Sequence, residues 1–144
     1  MALELYMIGL ITRDMGKSLE FYQRLGLSIP EGSEGKTHVE IKMGSGLTFF
    51  LDSKPSRWDP GFVRQDDTEP IEAAESYPFL LEFYLKSQAA VDIKYTELID
   101  FGYQSHRAPY KTSFGMYFAL INDPDGNVIL LSGELEGHKA AQEG

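Results

Sequence analysis

Cysteine is absent from the 144 residues, so no disulfide, thiolate metal ligand or cysteine nucleophile is available, and stability has to come from packing. Basic residues are scarce as well: 13 Lys and Arg face 22 Asp and Glu, a formal charge of −9. That balance argues against a nucleic-acid backbone or an anionic membrane as partner, and a ligand steered by charge would be neutral or cationic. Long hydrophobic runs are missing too. The opening MALELYMIGLITRD has no basic start and only a short apolar stretch, so it reads as a buried strand, not as a signal peptide or membrane span. A cytoplasmic protein is the expectation.

What is present is ordinary for a domain with a real core, with 42% apolar and 24% charged residues. Residues 1–135 are expected to form a single domain and 136–144 a flexible tail without apolar period.

After the strand Leu5 to Thr12, Asp14 is a fair helix N-cap, and Leu19, Tyr22 and Leu25 recur at helical spacing until Gly26 supplies a stop. Leu27 to Pro30 reads as a short strand. Two alternating runs follow, His38 to Met43 and Leu47 to Asp52, separated by Gly44-Ser45-Gly46. From Pro78 the order repeats: a strand Phe79 to Leu85, a cap at Ser87, and a helix carrying Val91, Tyr95 and Leu98 that ends at Gly102. Tyr103 to His106 reads as a short strand, and Met116 to Asn122 and Asn127 to Ser132 flank the turn Asp123-Pro124-Asp125-Gly126. Gly46 and Gly126, like Phe50 and Leu130, are 80 residues apart, which points to internal duplication. The modules span about 3–52 and 78–133, with a connector over 53–77 that carries Trp58 and Phe62 and serves as lid or spacer.

Register follows from the turns. With Gly46 and Gly126 in left-handed bulge positions, 43 pairs with 47, and Val39, Ile41 and Met43 meet Leu51, Phe49 and Leu47 on one apolar face suited to a helix. The other face carries His38, Glu40 and Lys42 beside Asp52, Phe50 and Thr48, a mixed set. In the second hairpin that face is mostly apolar: Phe118, Leu120 and Asn122 beside Ser132, Leu130 and Val128. Leu80, Glu82 and Tyr84, and likewise Met7, Gly9 and Ile11, turn away from their helices. Large apolar side chains on that second face cannot be left wet, so the sheets should curl together or pair in a dimer around a groove.

Thr12-Arg13-Asp14-Met15-Gly16-Lys17-Ser18-Leu19-Glu20-Phe21-Tyr22, then Leu25-Gly26, and later Phe118-Ala119-Leu120-Ile121-Asn122-Asp123-Pro124-Asp125-Gly126-Asn127 together resemble the vicinal oxygen chelate superfamily of glyoxalases, extradiol dioxygenases, and fosfomycin and bleomycin resistance proteins. The resemblance spans about Leu5 to Gly133. It implies an α+β fold of two paired βαβββ modules forming a curled mixed sheet with helices outside, often in a homodimer. The superfamily's enzymes hold a divalent metal through His, Gln or Glu at the first and last strands of each module. Carried over by position, those sites fall on Met7, Phe50, Leu80 and Leu130. One thioether and three hydrocarbons offer no competent set of donors, so no metal and no other cofactor is expected.

The leading expectation is therefore a non-metal small-molecule binding protein similar to bleomycin-type resistance proteins. It would hold an aromatic or cationic ligand in a groove lined by Phe50, Leu80, Glu82, Tyr84, Leu120 and Leu130, with Trp58 as a possible lid. The alternative is a glyoxalase- or dioxygenase-like enzyme with a relocated metal or acid–base site. Glu82 is the candidate carboxylate for acid–base work, if the groove desolvates it. His38 with Glu40 has metal-pair spacing on a strand, or is an exposed edge. His106 and Arg107 either line the groove or sit in a surface loop. Trp58 and Phe62 either close over a planar ligand or plug a sheet edge or dimer contact. Tyr110 to Gly115 is a flap or an ordinary packed loop. The expected partners are a small molecule and a second copy of the chain, with no nucleic acid and no membrane.

Overall fold

The computed structural model describes residues 3–44, 46–62 and 77–137. The chain divides into two compact units, Met1–Pro70 and Ile71–Gly144. The connector's residues 63–76 and the tail's residues 138–144 lie outside the described residues.

The first unit opens with strand β1 (Met7–Ile11) and helix α1 (Met15–Leu25). The Asp14 carboxylate accepts from the Lys17 N–H at 3.1 Å and starts the helix, and Gly26, at φ +127°, ends it. Strands β2 (His38–Lys42) and β3 (Thr48–Asp52) complete a sheet in the order β1-β3-β2, parallel between β1 and β3 and antiparallel between β2 and β3. Helix α1 buries Leu19, Phe21, Tyr22 and Leu25, and the Tyr22 ring centroid lies 5.1 Å from that of Phe49 on β3. Full burial of each such side chain is worth about 2–3 kcal/mol, which makes this layer the unit's main source of stability.

The strand expected at Leu27 to Pro30 does not form, so this module reads β-α-β-β. The Leu27 N–H is committed to the Tyr22 carbonyl at 2.9 Å, Pro30 has no N–H, and the Pro30 carbonyl accepts the Ser33 hydroxyl at 2.6 Å. These residues therefore serve a helix cap and a turn and leave no ladder to build.

The second unit contains β4 (Leu80–Ser87), α2 (Gln88–Asp100), β5 (Ser105–Lys111), β6 (Met116–Asn122) and β7 (Val128–Glu134). Its sheet runs β4-β7-β6-β5, with β4 parallel to β7 and the remaining neighbours antiparallel. The Ser87 hydroxyl caps α2 by accepting from the Ala90 N–H at 3.1 Å. Helix α2 covers one face through Val91 and Leu98, and the Tyr117 hydroxyl on β6 donates to Asp92 at 2.6 Å. Gly133 is required on that face, because a Cβ there would run into the Ser87 carbonyl. Strand β5 is longer than the expected Tyr103 to His106. It absorbs Pro109 by shifting register twice, at Ser105/Arg107 and at Arg107/Tyr110, so that Tyr110 and Lys111 belong to the sheet and not to a flap.

The two hairpin turns match at the 80-residue offset down to their hydrogen bonds. The Met43 N–H donates to the Leu47 carbonyl at 2.8 Å and the Asp123 N–H to the Asn127 carbonyl at 2.9 Å, and Gly46 and Gly126 have φ of +86° and +85°. The expected register follows, with His38 opposite Asp52 and Glu40 opposite Phe50, and with Phe118 opposite Ser132 and Leu120 opposite Leu130.

Candidate functional site

Each unit has one sheet face covered by its helix and one that is not, and the candidate residues lie on the helix-free faces. In the first unit, register alone brings His38 beside Asp52. The imidazole bridges two carboxylates, with Nδ1 2.8 Å from Asp52 Oδ2 and Nε2 3.0 Å from Glu40 Oε2. Asp52 is only 2% exposed, yet it is fully partnered. It also accepts from the Lys54 N–H at 2.7 Å and from the Trp58 indole N–H at 3.3 Å. The hydrogen bond to Glu40, and next that to Asp52, raises the His38 pKa above its ordinary value. Burial pushes the Asp52 carboxyl up, but His38, the Lys54 amide and Trp58 outweigh it and hold the group below its usual value. With a carboxylate at hydrogen-bond distance from each ring nitrogen, His38 bridges Asp52 and Glu40, and in its protonated form it is ion-paired to both.

Phe50 stands on the same face, its ring 5.0 Å from that of His38 and pressed onto Gly9, where any Cβ would collide with it. Trp58 follows the short 3-10 turn Pro55–Arg57. Its ring is 57% exposed while its N–H is tied to Asp52, so the indole is fixed as an open aromatic surface beside His38.

The second unit's helix-free face differs in character. Leu120, Val128 and Leu130 form a buried cluster with Tyr110 and Phe118 packed against it. Register aligns Leu80 with Val128, Glu82 with Leu130 and Tyr84 with Ser132, so the predicted groove residues of β4 do border this cluster. Leu80, Glu82 and Tyr84 are themselves exposed, Tyr84 to 54%, and Glu82 lacks the burial that its acid–base role required. On β5, the Ser105 hydroxyl receives a hydrogen bond from Tyr95 of α2, which leaves the adjacent His106 on the opposite, helix-free side. Arg107 pairs with Leu120 on that same face, the bulge allowing two successive residues to share it. The Arg107 guanidinium lies 3.6 Å from the Tyr110 ring centroid.

Among the described residues three buried side-chain polar atoms have no hydrogen-bond partner: Ser132 Oγ, Asn122 Oδ1 and His106 Nδ1. Register puts Ser132 and Asn122 on this one face, and alternation from Ser105, which points to the helix, puts His106 there too. Sequence parity placed Ser132 and Asn122 there but attached no role to them. Of the seven expected ligand-binding residues, Phe50 and Trp58 belong to the first unit, and Leu80, Glu82, Tyr84, Leu120 and Leu130 to the second.

The sequence profile of the Glyoxalase/Bleomycin resistance protein/Dioxygenase superfamily matches residues 5–131. The chain belongs to this superfamily. Among solved structures it is similar to a glyoxalase/bleomycin resistance protein/dioxygenase family enzyme from Burkholderia phytofirmans PsJN, at 24% identity and TM-score 0.71, over 92% of this chain and 100% of that one. A glyoxalase-related enzyme from Fulvimarina pelagi matches at 16% identity and TM-score 0.72, over 92% and 89% of the two chains. A lactoylglutathione lyase from Agrobacterium tumefaciens matches at 20% identity and TM-score 0.62, over 90% and 92%. No curated protein matches the chain significantly.

The four positions to which the resemblance carries the superfamily's metal ligands have surroundings of their own. Phe50 fills the space over Gly9 with a phenyl ring, and Leu130 is buried among Leu120 and Val128. Met7 and Leu80 add a thioether and a hydrocarbon. These residues do not fit a divalent metal, which needs oxygen or imidazole donors with free lone pairs. Among the described residues no helix is long and apolar enough to cross a membrane.

Proposed function

We propose that this member of the superfamily binds a small, largely aromatic molecule on the helix-free face of its second unit, in the manner of bleomycin-type resistance proteins and without the superfamily's metal. One observation carries the reading: the unpartnered buried atoms Ser132 Oγ, Asn122 Oδ1 and His106 Nδ1 are gathered on a single apolar and aromatic face. Leaving a buried polar group unpaired costs about 1–3 kcal/mol, and a ligand with matching groups recovers that cost. Leu120, Leu130 and Phe118 supply the apolar floor, and Leu80, Glu82 and Tyr84 the open rim. Phe50 and Trp58 offer a further aromatic surface in the first unit. The rival enzymatic reading through His38 is weakened by the carboxylates that occupy both of its ring nitrogens.

A thermal-shift screen against small aromatic acids, amides and amines tests the reading, because a ligand that binds the native state must stabilise it. A shift that the wild type shows and Leu120→Ala with Leu130→Ala lacks is expected. No shift with any class at millimolar concentration sinks it. Exposed Leu80 and Tyr84 on the edge strand β4, with exposed Phe79 just before it, support a homodimer, for which light scattering should give twice the chain mass.

A further inference from the structure

The chemical class of the ligand can be narrowed, on the footing of the binding reading above, by Arg107. Its guanidinium carbon lies 3.6 Å over the Tyr110 ring centroid, and Tyr110 in turn stands edge-on to Phe118, with centroids 6.0 Å apart. A guanidinium seated over a ring face keeps N–H donors available to two oxygens side by side. Among the described residues no carboxylate pairs with Arg107. Arg107 is exposed at the border of the Leu120, Val128 and Leu130 cluster, so its guanidinium is open to an anion that approaches from solvent.

The neighbours of Arg107 favour the same class. His106 Nδ1 is buried without a partner on the adjacent residue, and Ser132 Oγ, unpartnered and 0% exposed, lies opposite Phe118 one row further along. Both atoms are able to donate a hydrogen bond, His106 in the tautomer with its proton on Nδ1. Phe118, Tyr110 and Phe114, the last with its ring 5.8 Å from that of Phe118, supply the flat apolar contact. In the row Arg107, Leu120, Leu130, Glu82 the only acid stands at the far edge, three strand spacings or roughly 14 Å from Arg107. Glu82 therefore repels an oxyanion from its own end and orients it toward Arg107.

We propose that the ligand of this face is an aromatic or conjugated carboxylate whose oxygens are held by Arg107 while its ring system lies against Tyr110 and Phe118. The net charge of −9 opposes the approach of such an anion over long range, but a direct guanidinium contact outweighs a field that salt screens within about 8 Å.

Three probes on one ring system separate the possibilities: 2-naphthoate, 2-naphthamide and 2-naphthylmethylammonium, each titrated calorimetrically into the full chain. Naphthoate is expected to bind at least about tenfold more tightly than the amide, the effect of one charge-assisted pair, and the ammonium most weakly. In Arg107→Met, which keeps an unbranched stem and removes the guanidinium, the naphthoate advantage should vanish while amide binding persists. Equal affinity for naphthoate and amide, tighter binding of the ammonium, or an advantage that survives Arg107→Met overturns the carboxylate assignment and leaves the binding reading standing. Failure of all three probes to bind overturns both.

Discussion

The two helix-free faces are built on one plan and furnished in opposite ways. At the 80-residue offset His38 corresponds to Phe118, Glu40 to Leu120, Phe50 to Leu130 and Asp52 to Ser132, and each set occupies the same cross-strand pairs. In the first unit the buried position holds a carboxylate that accepts from an imidazole, an amide and an indole. In the second it holds a hydroxyl with no partner, between the register neighbours Phe118 and Tyr84. The first face has satisfied its polar groups from within. The second has not, and that asymmetry distinguishes a structural polar network from a surface prepared for something else.

Substitution at the equivalent positions puts this contrast at risk. Asp52→Ala should cost about 3 kcal/mol in urea denaturation, because it strands the donors of Lys54, Trp58 and His38 together, and the emission of Trp58 should change with it. Gly9→Ala comes next, at about 2 kcal/mol, since the new methyl group meets the Phe50 ring, and most of that loss should disappear in a Phe50→Ala background. Ser132→Ala should go the other way. Removing a buried hydroxyl that bonds to nothing leaves stability unchanged or raises it by about 1 kcal/mol, while affinity for the ligand falls. A loss comparable to that of Asp52→Ala would erase the distinction between the faces.

The smallest expected effect is the pH dependence of the first face. His38 has a raised pKa in the folded protein, so its contribution is complete below about pH 6.5 and fades as pH rises through the folded value. Asp52 has a lowered one, so its contribution is complete above about pH 4 and fades as pH falls through the folded value. Stability should therefore be greatest between these limits, and in His38→Gln the decline on the alkaline side should flatten. A decline of unchanged steepness in that variant would assign the dependence elsewhere.

Much of this arrangement was legible in the sequence. The glycine turns fixed which residues face the helix, and through the register they already set His38 opposite Asp52. The stronger-looking spacing of His38 with Glu40 obscured that pairing, and nothing in the sequence announces that Trp58, six residues past Asp52, bends back to bond it. Strand propensity failed at Leu27 to Pro30, where a helix cap and a turn had prior claim on the backbone. It also fell short on β5, expected over Tyr103 to His106, where bulges carry the strand past Pro109 to Lys111. Those bulges put His106 and Arg107 on one face, which a strict two-residue alternation cannot predict.

The paired turns at Gly46 and Gly126 also bear on how the chain acquires its structure. Each closes a hairpin from residues adjacent in sequence, an event of roughly 1–10 μs with little loop entropy to overcome. Each unit thus has a short-range closure of its own. Damage to one turn should delay the ordering of its own half and leave the other half to assemble at its native pace.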